Sequence, residues 1–285
     1  MERKIVVTAD STCDLPDDIL NKYNITLIPL HIFMGEEEYT DRKDIDMYKI
    51  FDYVAKTKVL PRTTATSLGT YTEIFQKFVD EGNSVFHVSL SADLSASHNN
   101  ACLAAKEVDP EKVFVIDSMN LSTGSGHVVL EIVDRINEGM EIPQILEEVK
   151  ELIPKVRASF ILETLDYMKK GGRCSSVAAL GANILKLKAC IEVRDGKMGL
   201  AKKYRGQFAE VLKQYTDDRF PNGKEGYVSK RCFVTSTCTE PEIPNMIADY
   251  VREKGYFDEV IITTAGATIC SHCGRNTLGV LFIEK

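Results

Sequence analysis

The order of apolar runs constrains this chain most. Through its first half, short runs rich in β-branched residues alternate with segments of helical periodicity. Lys4 to Ala9, 25–33, Val85 to Leu90 and Val113 to Ile116 read as strands, and 17–23, 46–57, 70–81, 94–108, 121–137 and 143–152 as helices. Such alternation predicts a parallel sheet covered by helices, with ligands at the carboxyl ends of the strands. Pro29 within the second run marks an edge or an irregularity, because proline cannot donate to a sheet ladder. Strand ends carry hydroxyls at Asp10-Ser11-Thr12, at Ser89 and at Asp117-Ser118, forming a polar rim.

The second half has a different rhythm. Cys190 to Arg194 and Gly199 to Tyr204 flank Asp195-Gly196, a two-residue hairpin signal. Further strands are expected at 159–162, 231–237, 259–265 and 279–284, with helices at 164–170, 206–218 and 241–254. The predicted fold class is therefore α/β in two domains. An N-terminal Rossmann-like domain with a parallel sheet spans 1–155, and a C-terminal mixed α/β domain with an antiparallel hairpin spans 156–285. Length agrees, since 285 residues exceed the usual extent of one core.

Charge narrows the partners. Lys plus Arg total 35 against 42 Asp plus Glu, and no basic stripe interrupts the net −7, so nucleic acid and anionic membrane surfaces are poor partners. No apolar run approaches the roughly 20 residues that span a bilayer, and the apolar stretch after Met1-Glu2-Arg3-Lys4 is too short for a signal peptide. A cytoplasmic location is expected, with the eight cysteines as free thiols.

Gly124-Ser125-Gly126 does not continue as a dinucleotide fingerprint, no phosphate loop ends in Gly-Lys-Ser or Gly-Lys-Thr, and Gly171-Gly172-Arg173 reads as a turn. Cys270-Ser271-His272-Cys273 supplies two thiolates where a structural zinc needs four ligands, so it reads as a thiol-containing loop. A metal or redox role for Cys270 and Cys273 stays open, as does a hydrolase built on Ser95 and His272, because a triad need only meet in space. Two hydroxyl clusters stand out. Thr63-Thr64-Ala65-Thr66-Ser67 precedes a helix, and Ser89-Leu90-Ser91-Ala92-Asp93-Leu94-Ser95 leads from a strand toward one. Free N–H groups at such a place favour a carboxylate or phosphate, while Ser and Thr also stand there simply as caps.

At these residues the sequence resembles the DegV family of bacterial fatty-acid-binding proteins. The resemblance rests on Asp10-Ser11-Thr12, Leu94-Ser95-Ala96-Ser97, Asp117-Ser118, the stretch from Leu165 to Arg173, and His272-Cys273-Gly274 followed by Leu278-Gly279-Val280, all in family order. It implies an acyl chain held between the two domains, with no cofactor and no catalytic residue. It also implies a partner fatty acid kinase that phosphorylates the bound carboxylate toward phospholipid synthesis. By the same resemblance Thr63, Ser95 and His272 bind the carboxylate, Arg173 faces the kinase or its phosphoryl group, and Thr64, Ser91 and Ser97 support the headgroup pocket. A buried carboxylate needs several donors, and His272 is expected to share its charge. Phe160, Ile161, Leu162 and the Leu180 to Leu187 stretch are expected to line the acyl tunnel. Thr64-Ala65-Thr66 departs from the family's Ser-Gln-Pro, Ala96 replaces a glycine, His98 stands where tyrosine is usual, and Arg275 adds a charge beside His272.

Overall fold

The computed structural model describes residues 4–179 and 187–285. Its parallel sheet has the order β2-β1-β6-β7, with β1 at Ile5–Asp10, β2 at Thr26–Ile28, β6 at Ser84–Ser89 and β7 at Val113–Asp117. β6 is buried along its whole length, as expected for a central strand covered on both faces. Around it lie α1 (Asp17–Lys22), α3 (Leu68–Asp80), α4 (Ser97–Val108), α5 (Thr123–Asn137) and α6 (Ile142–Leu152).

The second large sheet is mixed, with the order β10-β9-β8-β13-β11-β12. It comprises β8 (Val156–Leu162), β9 (Lys188–Arg194), β10 (Lys197–Tyr204), β11 (Cys232–Ser236), β12 (Val260–Thr264) and β13 (Thr277–Ile283). Only β11 and β12 run parallel. The hairpin forms in the register that Asp195-Gly196 predicts, Arg194 opposite Lys197, with φ of 48° and 78° at the two turn residues. Helices α7 (Asp166–Gly171), α8 (Ser175–Ala178), α9 (Phe208–Arg219) and α10 (Glu242–Glu253) complete this half.

The predicted strand 25–33 is two strands. Pro29 ends β2, and the chain re-enters a different sheet as β3 (His31–Met34), which pairs with β4 (Glu37–Thr40) and β5 (Arg62–Thr64). This small antiparallel sheet packs, together with α2 (Met47–Thr57), against α11 (Ala267–Cys273); Ile32, Ile50, Phe51 and Cys270 share one core. The segment read as a thiol-containing loop is therefore a helix, and the small sheet fixes its place.

α5 joins the two large sheets. It is buried over its first eleven residues, and its His127 ring stands edge-on to Phe233, centroids 4.7 Å apart, with Nε2 3.1 Å from the Leu281 carbonyl. Near its C-terminal end, Glu131 and Asp134 meet Arg231, the residue before β11, which is only 7% exposed. The hairpin turn docks on the loop that follows β6, where Ser91 Oγ donates to Gly196 O at 2.8 Å and a Cβ at Gly196 would lie 2.8 Å from Ser91 Oγ.

Candidate functional site

Thr63 is placed by sheet pairing. β5 is three residues long and lies against β3, with Ile32 opposite Thr63 and His31 opposite Thr64. The other side of the site is α11, whose last turn carries His272. The two elements, 209 residues apart in sequence, meet where Thr63 Oγ1 lies 2.8 Å from His272 Nε2. The start of α11 is held by two buried carboxylates: Gly266 N donates to Asp14 Oδ1 at 2.8 Å and Thr268 N to Asp41 Oδ1 at 3.3 Å. Burial pushes Asp14 up to about 7, opposed by hydrogen bonds from Ser122 and Gly266.

The Gly171-Gly172 pair has two separate physical reasons. Gly172 ends α7 at φ 71°, the left-handed conformation that glycine adopts without strain. Gly171 gives room to the imidazole, because a Cβ there would stand 2.9 Å from His272 Nδ1. That nitrogen is buried without a hydrogen-bond partner among the described residues. Arg173 follows, exposed, with Nη1 donating to Gly171 O at 2.8 Å.

Ser95 lies in a turn, two residues before α4. The 94–108 helix expected from sequence starts only at Ser97, because the N–H groups of Leu94 and Ser95 both bond back to Ser91 O. Ser95 Oγ is 3.0 Å from Ser97 Oγ and accepts the Ser97 N–H at 3.2 Å.

Thr63, Thr64, Ser95, Arg173 and His272 line one cavity of ≈ 60 Å³, whose remaining wall includes Leu30, Leu90, Leu94, Leu121, Met198 and Ile269. A second cavity of ≈ 30 Å³ continues past Leu121, Ile269 and Cys273 toward Phe160 and Leu281. Polar groups and apolar side chains thus share the wall of one cavity, and exposed Arg173 is among them. Ser91 and Ser97 are not on this wall: Ser91 holds the hairpin turn and Ser97 holds Ser95. Ala96 is exposed and does not border the cavity.

Of the expected tunnel residues, Phe160 lines the inner cavity but Ile161 and Leu162 do not. Strand side chains alternate, so Ile161 points to the opposite face of the mixed sheet and packs with Tyr215 and Val234. The stretch 180–186 lies outside the described residues. The apolar lining residues Leu30, Leu94, Leu121, Met198 and Ile269 come from five different segments, so no periodicity within one segment marks them as a cavity wall.

The strand-end rim is largely internal fastening. Asp10 accepts from Tyr71 OH at 2.5 Å and from Leu90 N at 2.8 Å; Ser11 donates to Asp41 at 2.8 Å; Ser118 meets Ser125 at 2.9 Å.

His272 has its proton affinity lowered to about 4, first by burial and then by the Arg173 charge. The imidazole is therefore neutral at neutral pH, and the expected charge sharing gives way to dipolar donation from a neutral ring. No hydrogen bond joins Ser95 to His272, so the described residues contain no serine–histidine relay here. The thiols are equally quiet. Burial pushes Cys273 up to about 12 and holds Cys270 well above the ordinary thiol range. Burial likewise pushes up the Cys232 thiol, which lies in a separate core, and raises Cys238 to about 11. Among the described residues, no group of three or more His, Cys, Asp or Glu side chains is placed to hold a metal ion, and no helix is long and apolar enough to cross a membrane.

Comparison with known proteins places the chain. Residues 4–285 match the family model described as "Uncharacterised protein, DegV family", and the chain belongs to the DegV family. It is 30% identical over 284 residues to a DegV domain-containing protein of Clostridium acetobutylicum, covering 99% of each chain. Among solved structures it is similar to a fatty-acid-binding DegV family protein from Thermus thermophilus, with a TM-score of 0.91, 26% identity, and coverage of 99% of this chain and 100% of that one. It is also similar to a stearic-acid-binding protein from Eubacterium ventriosum, with a TM-score of 0.85, 26% identity and 98% of each chain covered.

Proposed function

We propose that this protein binds one long-chain fatty acid, with the carboxylate at Thr63, Ser95 and His272 and the acyl chain running inward between the halves 1–155 and 156–285. The observation that carries this reading is the Thr63–His272 pair, 2.8 Å apart on the wall of a cavity that Leu30, Leu90, Leu94, Leu121, Met198 and Ile269 also line. A carboxylate leaving water needs donors in place, and two hydroxyls with an imidazole N–H supply them. A neutral ring protonated at Nε2 turns that N–H from Thr63 to the anion. Each CH₂ drawn from water contributes about 0.8 kcal/mol, so chain length dominates affinity. The fatty-acid-binding relatives of the same fold support the ligand class.

The cavities are small beside the roughly 300–1,000 Å³ of small-molecule sites. An acyl chain enters by parting Leu121, Ile269 and Cys273, the residues both cavities share.

The bound carboxylate is offered to a separate fatty acid kinase in the cytoplasm, which converts it to an acyl phosphate for phospholipid synthesis. Exposed Arg173 at the mouth suits an incoming phosphoryl group or a partner carboxylate, because its planar fork binds either bidentately. The chain itself performs no catalysis and takes no cofactor. The test is fatty-acid titration of the delipidated protein, followed by kinase-dependent acyl phosphate formation. Arg173→Ala is expected to keep fatty-acid affinity within threefold while phosphorylation falls at least tenfold. Equal phosphorylation of the variant removes Arg173 from the kinase contact, and full affinity in a Thr63→Ala, Ser95→Ala double variant removes the carboxylate site.

A further inference from the structure

Seven of the eight cysteines are buried; Cys102 alone retains appreciable solvent exposure. It lies on α4 one turn beyond His98, and at this (i, i+4) spacing the two side chains share a helix face. Cys102 Sγ is 3.4 Å from His98 Nε2. The other ring nitrogen, Nδ1, is 2.8 Å from the hydroxyl of Ser89, a fully buried residue at the end of β6. Ser89 Oγ is also 3.3 Å from the Ile116 carbonyl, which can only accept. With its proton given there, the hydroxyl accepts from Nδ1–H and leaves Nε2 with its lone pair toward Cys102. A nucleophile, a base and a group that orients the base are thus in line at the surface.

We propose that Cys102, with His98 as base and Ser89 as the residue that positions it, is a nucleophilic thiol site that exchanges with small disulfides. Partial burial holds the Cys102 thiol above its ordinary range, with Lys106 lowering it and Asp117 raising it. The resting group is therefore S–H, and reaction depends on a base within reach. As Sγ attacks one sulfur of R–S–S–R, its proton passes to His98 Nε2. The S–S bond breaks, R–S⁻ departs, and His98 returns the proton to it as R–SH. One disulfide and one thiol give one mixed disulfide, Cys102–S–S–R, and one new thiol, with no other oxidant. The site is separate from the acyl cavity, since neither Cys102, His98 nor Ser89 lines it.

The experiment treats the full chain with oxidised glutathione, follows the adduct by intact mass, and maps it by peptide analysis. One adduct is expected, at Cys102, ahead of any other cysteine, and Cys102→Ser abolishes it. His98→Asn keeps a polar group near Ser89 but no longer reaches Sγ, and is expected to slow exchange at least tenfold. Ser89→Ala is expected to slow it severalfold. Added imidazole should restore rate to a His98→Ala variant, an effect that a purely structural histidine would not produce. A first adduct at another cysteine, or a His98→Asn rate within twofold of the parent, overturns the assignment.

Discussion

Replacing His272 with glutamine tests whether the ring at the centre of the site is held neutral by its surroundings. Glutamine places an N–H donor near the position of Nε2 but cannot titrate. In the folded protein the imidazole titrates at about 4, whereas in the unfolded chain it returns to its ordinary value near 6.5. Between those values the unfolded state binds the extra proton, so stability falls as pH falls through that window. Going from about pH 7 to about pH 5, the unfolded chain gains roughly 1.9 kcal/mol from protonating this group and the folded chain almost nothing, at about 1.36 kcal/mol per pKa unit. Other buried groups contribute as well. His127, lowered to about 3 by burial, acts in the same direction, and Asp14, raised to about 7, acts in the opposite one. Comparing the pH-induced change in the variant with that in the parent cancels both. Urea unfolding of delipidated protein at the two pH values should show the parent losing about 1.5–2 kcal/mol more than His272→Gln. Equal losses, within about 0.5 kcal/mol, would mean that His272 is solvated and freely protonated, and the neutral-donor account of the site would fail.

Three further perturbations probe the same geometry. Thr63→Val keeps the side-chain shape and removes one hydroxyl. Loss of a hydrogen bond to a charged group costs about 1.5–3 kcal/mol, so fatty-acid affinity should fall about tenfold or more, read by isothermal calorimetry; an unchanged dissociation constant excludes Thr63 as a donor. Gly171→Ala places a Cβ against His272 Nδ1 without approaching the cavity itself, and should weaken carboxylate binding while leaving α7 intact by circular dichroism. Unaltered affinity would show that the ring needs no fixed position. Ile269→Phe enlarges the residue shared by both cavities and should weaken binding of stearate far more than of decanoate, because only the longer chain must pass it. Equal weakening would place the acyl path elsewhere.

Much of this architecture is legible in local chemistry. The parallel sheet follows from the alternation of apolar runs and helical segments, and the β9–β10 hairpin from Asp195-Gly196, whose residues adopt the positive φ that such turns require. What local chemistry did not reveal is the small sheet that carries Thr63. Its strands are three or four residues long, too short for periodicity to register, and β5 gains its identity only by pairing with β3. One signal was available: Gly35-Glu36 joins β3 to β4 as a two-residue hairpin loop, with Met34 opposite Glu37. α11 was similarly obscured. Its seven residues, Ala-Thr-Ile-Cys-Ser-His-Cys, have modest helix propensity, and Asp14 and Asp41, more than 200 residues upstream, accept the N–H groups at its start. The resemblance to DegV proteins placed Thr63, Ser95, Arg173 and His272 as one group. The fold brings those four to one cavity, but sets Ser91 against the hairpin turn, where its hydroxyl bonds a backbone carbonyl 105 residues away.

The central claim is that a fatty acid's carboxylate lies on Thr63, Ser95 and His272, and native mass spectrometry of the purified protein tests it most directly. Delipidated chain incubated with stearate is expected to gain the mass of one fatty acid. The Thr63→Val, Ser95→Ala double variant, folded by circular dichroism, is expected to lose most of that occupancy at the same concentration. A parent chain that stays unliganded with fatty acids of every length tried, or a double variant that fills as completely as the parent, would contradict the account.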